Sequence, residues 1–356
     1  MRVIFLFLSL VLLSACKKEE KIQEMTPEKT LLKAVDISSF PEIVAANQLY
    51  YNELGDEVEL PDMLQKAGIN TIRLRLWVNP VNSHSGFEEV HAYSQLLKSK
   101  GFKIWLSIHY SDTWADPGHQ QIPQQWQALD LPVLKDSLLR YTAKVVKEIQ
   151  PDFVQIGNEI NSGFLHPLGN IENNYAQFID LMNTAIEAVR TYAPQTRIIL
   201  HYAGIENAAW FFEKVKSLDY DIIGLSYYPM WHGKSLELLQ QTIDDLAATF
   251  SKKVLIAETS YPFTLHWNDL TNNVLGLSEQ LILPTYPATP EGQKQYVRRM
   301  LEISYESVGC IGLCYWGAEL IAWKGPQATD GSAWENQALF DFNSKALPAL
   351  KEFAAQ

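Results

Sequence analysis

The chain has 356 residues, 47% of them hydrophobic, and sets 41 acidic against 29 basic side chains for a net charge of −12 at neutral pH. Such a balance repels nucleic acid and anionic surfaces, so no nucleic-acid partner is expected and the natural ligand is neutral or indifferent to negative charge, as neutral sugar polymers are. No Pro/Gly/Ser-rich linker interrupts the chain after its first 30 residues, which favours one large domain over two, and a monomer is expected.

Residues 1–15 place one Arg before the apolar run VIFLFLSLVLLSA, too short for a permanent bilayer span and read as a secretion signal. Leu13, Ser14, Ala15 and Cys16 resemble the bacterial lipobox, in which cleavage before the Cys leaves it to be acylated; Cys16 is therefore the expected lipid anchor to a membrane. Residues 16–30, charged and without apolar periodicity, read as a flexible tether. Its Lys17-Lys18-Glu19-Glu20 resembles the export tags of Bacteroidetes lipoproteins, which points to the outer membrane and its cell-surface side. The folded domain is expected over 31–356.

Eight apolar or β-branched runs follow in order: 31–37, 70–77, 102–110, 152–158, 197–203, 221–228, 253–259 and 310–317. Between them lie stretches with apolar residues recurring every three and four positions, as in residues 175–193. This alternation predicts an α/β fold of the (β/α)8 TIM-barrel type, a single domain. A doubly wound open sheet is disfavoured because no Gly-rich phosphate fingerprint follows the first run. Two cysteines remain in the domain, Cys310 and Cys314; on one strand they would stand about 13 Å apart, too far for a disulfide.

In such a barrel the C-terminal ends of the strands hold the chemistry. Here they carry Asp36, Arg73, Arg75, Trp77, His109, Asn158, Glu159, His201, Tyr228, Glu258 and Trp316. A single polar strand end is unremarkable; eight in succession are not. The fourth run ends in Asn158-Glu159 and the seventh in Ala257-Glu258, which sets two carboxylates across the mouth, the arrangement glycosidic hydrolysis needs. Glu159 suits the acid/base and Glu258 the nucleophile, held ionised by Arg73 with Arg75 two residues along the same face. Asn158 could donate to the sugar 2-hydroxyl. Sugars also stack on aromatic rings. Of ten Trp, Trp114, Trp231 and Trp316 are expected against substrate, and Trp126, Trp210 and Trp334 in structural packing. His109, Asp112 and Asp116 read as hydroxyl binders rather than metal ligands, and no metal or other cofactor is expected in catalysis.

The strings LRLWVNP, HYSDTWADPGHQ, QIGNEINSGFLHPLG, GLSYYPMWHG, AETSYP and SAWENQALFDF resemble, in order and nearly end to end of the domain, those of the glycoside hydrolase family 53 endo-β-1,4-galactanases. The resemblance implies a retaining barrel enzyme with Glu159 as acid/base and Glu258 as nucleophile, cutting β-1,4-galactan, the side chain of type I arabinogalactan, internally. Some bacterial members bind calcium after strand seven; here the corresponding stretch offers Asp269 with Asn268, Asn272 and Asn273, few carboxylates for that ion. The segment from His266 to Thr289 is expected to shape the substrate groove. The rivals are a barrel glycosidase for another β-1,4 polymer, a transglycosylase using the same two glutamates, and a non-hydrolytic surface glycan-binding lipoprotein, which would lack a catalytic carboxylate.

Overall fold

Eight short runs of aliphatic and β-branched residues form parallel strands in the computed structural model, which describes residues 29–354. They are β1 (Leu32–Asp36), β2 (Thr71–Leu76), β3 (Lys103–Ile108), β4 (Phe153–Ile156), β5 (Arg197–Ala203), β6 (Ile222–Ser226), β7 (Lys253–Thr259) and β8 (Cys310–Tyr315). Each pairs with its neighbour in chain order, and β1 joins both β2 and β8 to close the barrel. Cys16, the expected leader and the expected tether up to residue 28 lie outside the described residues.

The connecting helices are α1 (Leu60–Lys66), α2 (Phe87–Ser99), α3 (Leu131–Ile149), α4 (Tyr175–Tyr192), α5 (Ala208–Val215), α6 (Leu236–Phe250) and α7 (Pro290–Glu306). Their starts are written in the sequence: Asp130, Ser235 and Thr289 cap the first turns of α3, α6 and α7 by accepting from Val133, Leu238 and Gly292 N–H. A short hairpin, Tyr50–Tyr51 with Glu57–Val58, interrupts the first connection and has no counterpart in the sequence reading.

Two apolar layers result. Outward strand residues such as Ile72, Ile104 and Ile256 pack on the helices, while Ala34, Trp105, Phe153, Ile199, Ala257 and Cys314 plug the barrel interior. Cys310 lies in the outer layer and Cys314 in the plug. Above the plug the inward positions turn polar: Arg73, Ser107, Gln155, His201 and Ser226 are all buried. This change of layer marks the floor of the site.

On β7 an irregularity aims one side chain. Leu225 of β6 pairs with Ile256, but the next residue, Ser226, pairs with Glu258. Strict alternation would send residue 258 outward with Ile256; the extra residue resets the parity and sets Glu258 beside inward-facing Ser226. At β3, β4 and β8 the sequence reading overran the strand ends by two residues, because the chain turns into left-handed conformations there, at Tyr110 (φ 50°), Gly157 (φ 76°) and Gly317 (φ 71°).

Candidate active site

Arg73 organises the floor. From β2 its Nη2 reaches Glu258 Oε1 at 2.8 Å, and its Nη1 reaches Asp36 Oδ2 at 2.9 Å. The same Nη2 donates to Asn158 Oδ1 at 2.8 Å. Tyr228 Oη donates to the other Glu258 oxygen at 2.9 Å; burial first, then the Glu258 charge, pushes that phenol well above its usual range, so it stays protonated. Burial lifts Glu258 itself above the ordinary carboxylate value, opposed chiefly by the Arg73 cation.

Glu159 has no such cation in contact. Its carboxylate receives one hydrogen bond, from Ser226 Oγ at 2.6 Å. Loss of hydration, followed by repulsion from Glu258, lifts it to about 8. An edge of Glu159 still opens to the cleft, and a bound sugar would displace that remaining water. Arg73 lies against Glu258 and not against Glu159, which makes Glu159 the protonated partner of the pair and Glu258 the ionised one. A carboxylate oxygen of each, with a ring nitrogen of His201, lie within 4.8 Å of one another. That matches the separation of about 5–5.5 Å used for covalent double displacement rather than the wider gap of about 6.5–9.5 Å that seats a water.

Those three groups could in principle embrace a cation, but their donor atoms are engaged. Arg73 and Tyr228 take the two Glu258 oxygens, Ser226 takes one of Glu159, and His201 is hydrogen-bonded through both nitrogens. The set is built to order carboxylates.

Around the glutamates opens a cleft of about 500 Å³. Its aromatic residues touch in series: Trp77 with Trp114 (5.5 Å), Trp114 with Trp316 (6.0 Å), Trp316 with Trp334 (4.6 Å), and Trp334 with both Tyr228 (5.5 Å) and Trp231 (6.1 Å), between ring centroids. Asp36, His109 and Asn158 also line it. His109 Nδ1 accepts from the Ala115 N–H at 3.1 Å, and burial holds the ring neutral, which leaves its Nε2–H to donate. Asn158 gives one amide hydrogen to Ala115 O at 2.8 Å and keeps the second.

Five expectations are corrected. Asp112 is not in the cleft: its oxygens accept from the backbone N–H groups of Asn79 and Gln124, so it ties two loops together. Arg75 does not contact Glu258; it is held between Trp77 and Trp114, 4.5 and 4.0 Å from their rings. His201 lies fully buried beneath the cleft and reaches substrate only through its neighbours. Trp334, expected in structural packing, lines the cleft, whereas Trp126 is buried against Tyr141. The groove wall comes from the connection after β8, Leu320 to Trp334, and the segment from His266 to Thr289 backs it through Leu270 N–H to Ala328 O and Val274 N–H to Ala333 O, each 2.9 Å. Ser226 and Gln155 were missed altogether, since a single uncharged polar residue inside a strand carries no signal of its own.

Behind that wall the fold adds Glu335 to the few carboxylates that the sequence offers for calcium. Asp269 Oδ2, Asn273 Oδ1 and Glu335 Oε2 are buried oxygens without a hydrogen-bond donor, and Glu335 Oε1 accepts from the N–H groups of Asn268 and Asp269. Orphaned buried acceptors of this kind suit a hard cation, and Asp269, Asn273 and Glu335 are the side chains that would hold a structural calcium ion.

Comparison with known proteins agrees with this geometry. The arabinogalactan endo-β-1,4-galactanase of Cellvibrio japonicus is 36% identical over 328 residues, 86% of each chain. The endo-β-1,4-galactanase of Bacillus subtilis is 30% identical over 96% of this chain and 92% of its own. Among solved structures, the GH53 catalytic domain of Ignisphaera aggregans aligns with a TM-score of 0.86 at 35% identity, covering 91% of this chain and 95% of that one. A GH113 β-1,4-mannanase, at 14% identity and a TM-score of 0.54, shares the fold alone. The family model described as glycosyl hydrolase family 53 matches residues 32–353, essentially the whole barrel with its paired glutamates, and the chain belongs to that family.

Proposed function

We propose that the chain is a retaining endo-β-1,4-galactanase, hydrolysing galactan and type I arabinogalactan from within. The observation that carries this is the pair Glu159 and Glu258, within 4.8 Å, with the Arg73 cation on Glu258, in an aromatic cleft. Glu258, ionised and aligned by Arg73 and Tyr228, attacks the anomeric carbon while Glu159 protonates the departing oxygen. The glycosyl ester removes the negative charge of Glu258, the Glu159 pKa falls, and Glu159 then draws a proton from the water that frees the sugar. The second amide hydrogen of Asn158 meets the 2-hydroxyl. Trp316 and Trp334 offer faces to the sugar rings. No cofactor enters the reaction.

The galactan assignment is supported by family membership and by relatives named galactanases. Lipid attachment at Cys16 and an outer-membrane, cell-surface location are supported by the Leu13-Ser14-Ala15-Cys16 motif and the charged tether; Cys16→Ala should release the protein from membranes. The deciding experiment incubates the purified domain with β-1,4-galactan, β-mannan and soluble cellulose. Short galacto-oligosaccharides from galactan alone are expected; release from mannan or cellulose instead would reassign the substrate.

A further inference from the structure

Beneath Glu159 lies a closed circuit of hydrogen bonds that the reaction as described does not use. The backbone N–H of Glu159 points at His201 Nδ1, 3.3 Å away, and Gln155 Nε2 lies 3.0 Å from the same nitrogen. A backbone amide can only donate, so Nδ1 must accept. The ring is fully buried, and burial followed by the Arg73 charge holds it neutral. Its one proton therefore sits on Nε2, which lies 2.9 Å from Ser226 Oγ. With that oxygen already supplied by His201, the Ser226 hydroxyl hydrogen is free to go to Glu159 Oε1, 2.6 Å away. Asn158 Oδ1, 3.2 Å from Nδ1, is served instead by Arg73 at 2.8 Å.

The polarity of the circuit is thus fixed at every step, from the main chain of Glu159 back to its own side chain. We propose that His201 and Ser226 are positioning residues that reserve Glu159 Oε1 as a permanent acceptor and confine the transferable acid proton to Oε2. A carboxylic acid with two equivalent oxygens presents its proton wrongly half of the time; this one is presented on one oxygen only. The arrangement also braces Glu159, whose φ of 47° is unusual for a side chain of its size. The proposal deepens the acid/base role given above to Glu159 and rests on it.

The other charged groups facing Glu159 are Glu258 on β7, Arg73 on β2 and Asp116 after β3, with the neutral phenol of Tyr228 after β6 beside them. None of them changes when Ser226 is altered, so Ser226→Ala isolates the circuit. Losing a donor to the ionised form raises the Glu159 pKa, and the alkaline limb of kcat/KM, which reports the acid in the free enzyme, should move up by about 0.5–1 pH unit. Ser226→Thr, which keeps the hydroxyl, should leave it in place. A residue that merely packs would lower activity alike at every pH.

An unmoved limb in folded, active Ser226→Ala would overturn the proposal while leaving the galactanase reading intact. A second measurement needs neither substrate nor variant: ¹⁵N resonances of His201 in the wild-type protein should report the neutral Nε2–H form across the active pH range. An Nδ1–H form would break the circuit and the proposal with it, whatever polymer the enzyme cleaves.

Discussion

Arg73 and Glu258 stand 2.8 Å apart with their side chains 2% and 8% exposed, and Asp36 shares the same guanidinium at 2.9 Å. Two buried carboxylates thus depend on one cation. Arg73→Ala should cost about 3–5 kcal/mol of stability at pH 7.5 and measurably less at pH 5, where the stranded carboxylates can take up protons. Urea unfolding at the two pH values checks this; an equal loss at both would mean that charge is not what Arg73 contributes.

Glu258→Gln should reduce turnover more than about a thousandfold with the fold intact, because an amide cannot form the glycosyl ester. Glu159→Ala should differ in kind. Cleavage of galactan, whose leaving group needs a proton, should fall far more than cleavage of an aryl galactoside with an activated leaving group. Equal losses on both substrates would remove Glu159 from the acid role.

The pKa of Glu159 also links activity to stability with opposite signs. Its folded value of about 8 lies above the ordinary carboxylate value, so the folded state keeps a proton that the unfolded state loses first. Stability from this group is fully present below about pH 4.5 and is lost as pH rises towards 8. Glu159→Gln, inactive but freed of that titration, should therefore gain in Tm over wild type across this window. A constant Tm difference between pH 4.5 and 8 would contradict the assignment.

Calcium should raise Tm, by roughly 2–4 °C for each kcal/mol of binding free energy, and a chelator should reverse it. Asp269→Ala should abolish the response without altering kcat. A calcium effect that survives in Asp269→Ala would place the ion elsewhere.

Trp334→Ala should raise KM for galactan about two- to tenfold, the scale of a lost aromatic contact of about 0.5–1.5 kcal/mol, with kcat less affected. Trp126→Ala should instead lower Tm and leave KM alone. Titration of both variants with galacto-oligosaccharide separates the cleft ring from the packing ring.

The barrel was legible because eight strand runs and their intervening helical periods are local signals, and β5 and β7 were bounded to the residue. Glu159 and Glu258 were legible because one follows the end of β4 and the other is the last residue but one of β7. What escaped depends on distance in three dimensions. Glu335 meets Asp269 across 66 positions, Trp334 meets Trp316 only after its loop folds back, and Arg75 leaves Glu258 to Arg73 because two indoles capture it first. The bulge on β7 escaped for another reason. Alternation read from the sequence sends Glu258 away from the site, and only its pairing with Ser226 shows how the strand corrects itself.

The chain of touching indoles has an optical consequence. With Trp316 and Trp334 centroids 4.6 Å apart at 65°, their ultraviolet transitions couple, and light absorbed by one ring is shared along the row from Trp77 to Trp231. The cleft is thus its own chromophore: a sugar laid across it perturbs several rings at once, and circular dichroism or emission can follow occupancy without any label.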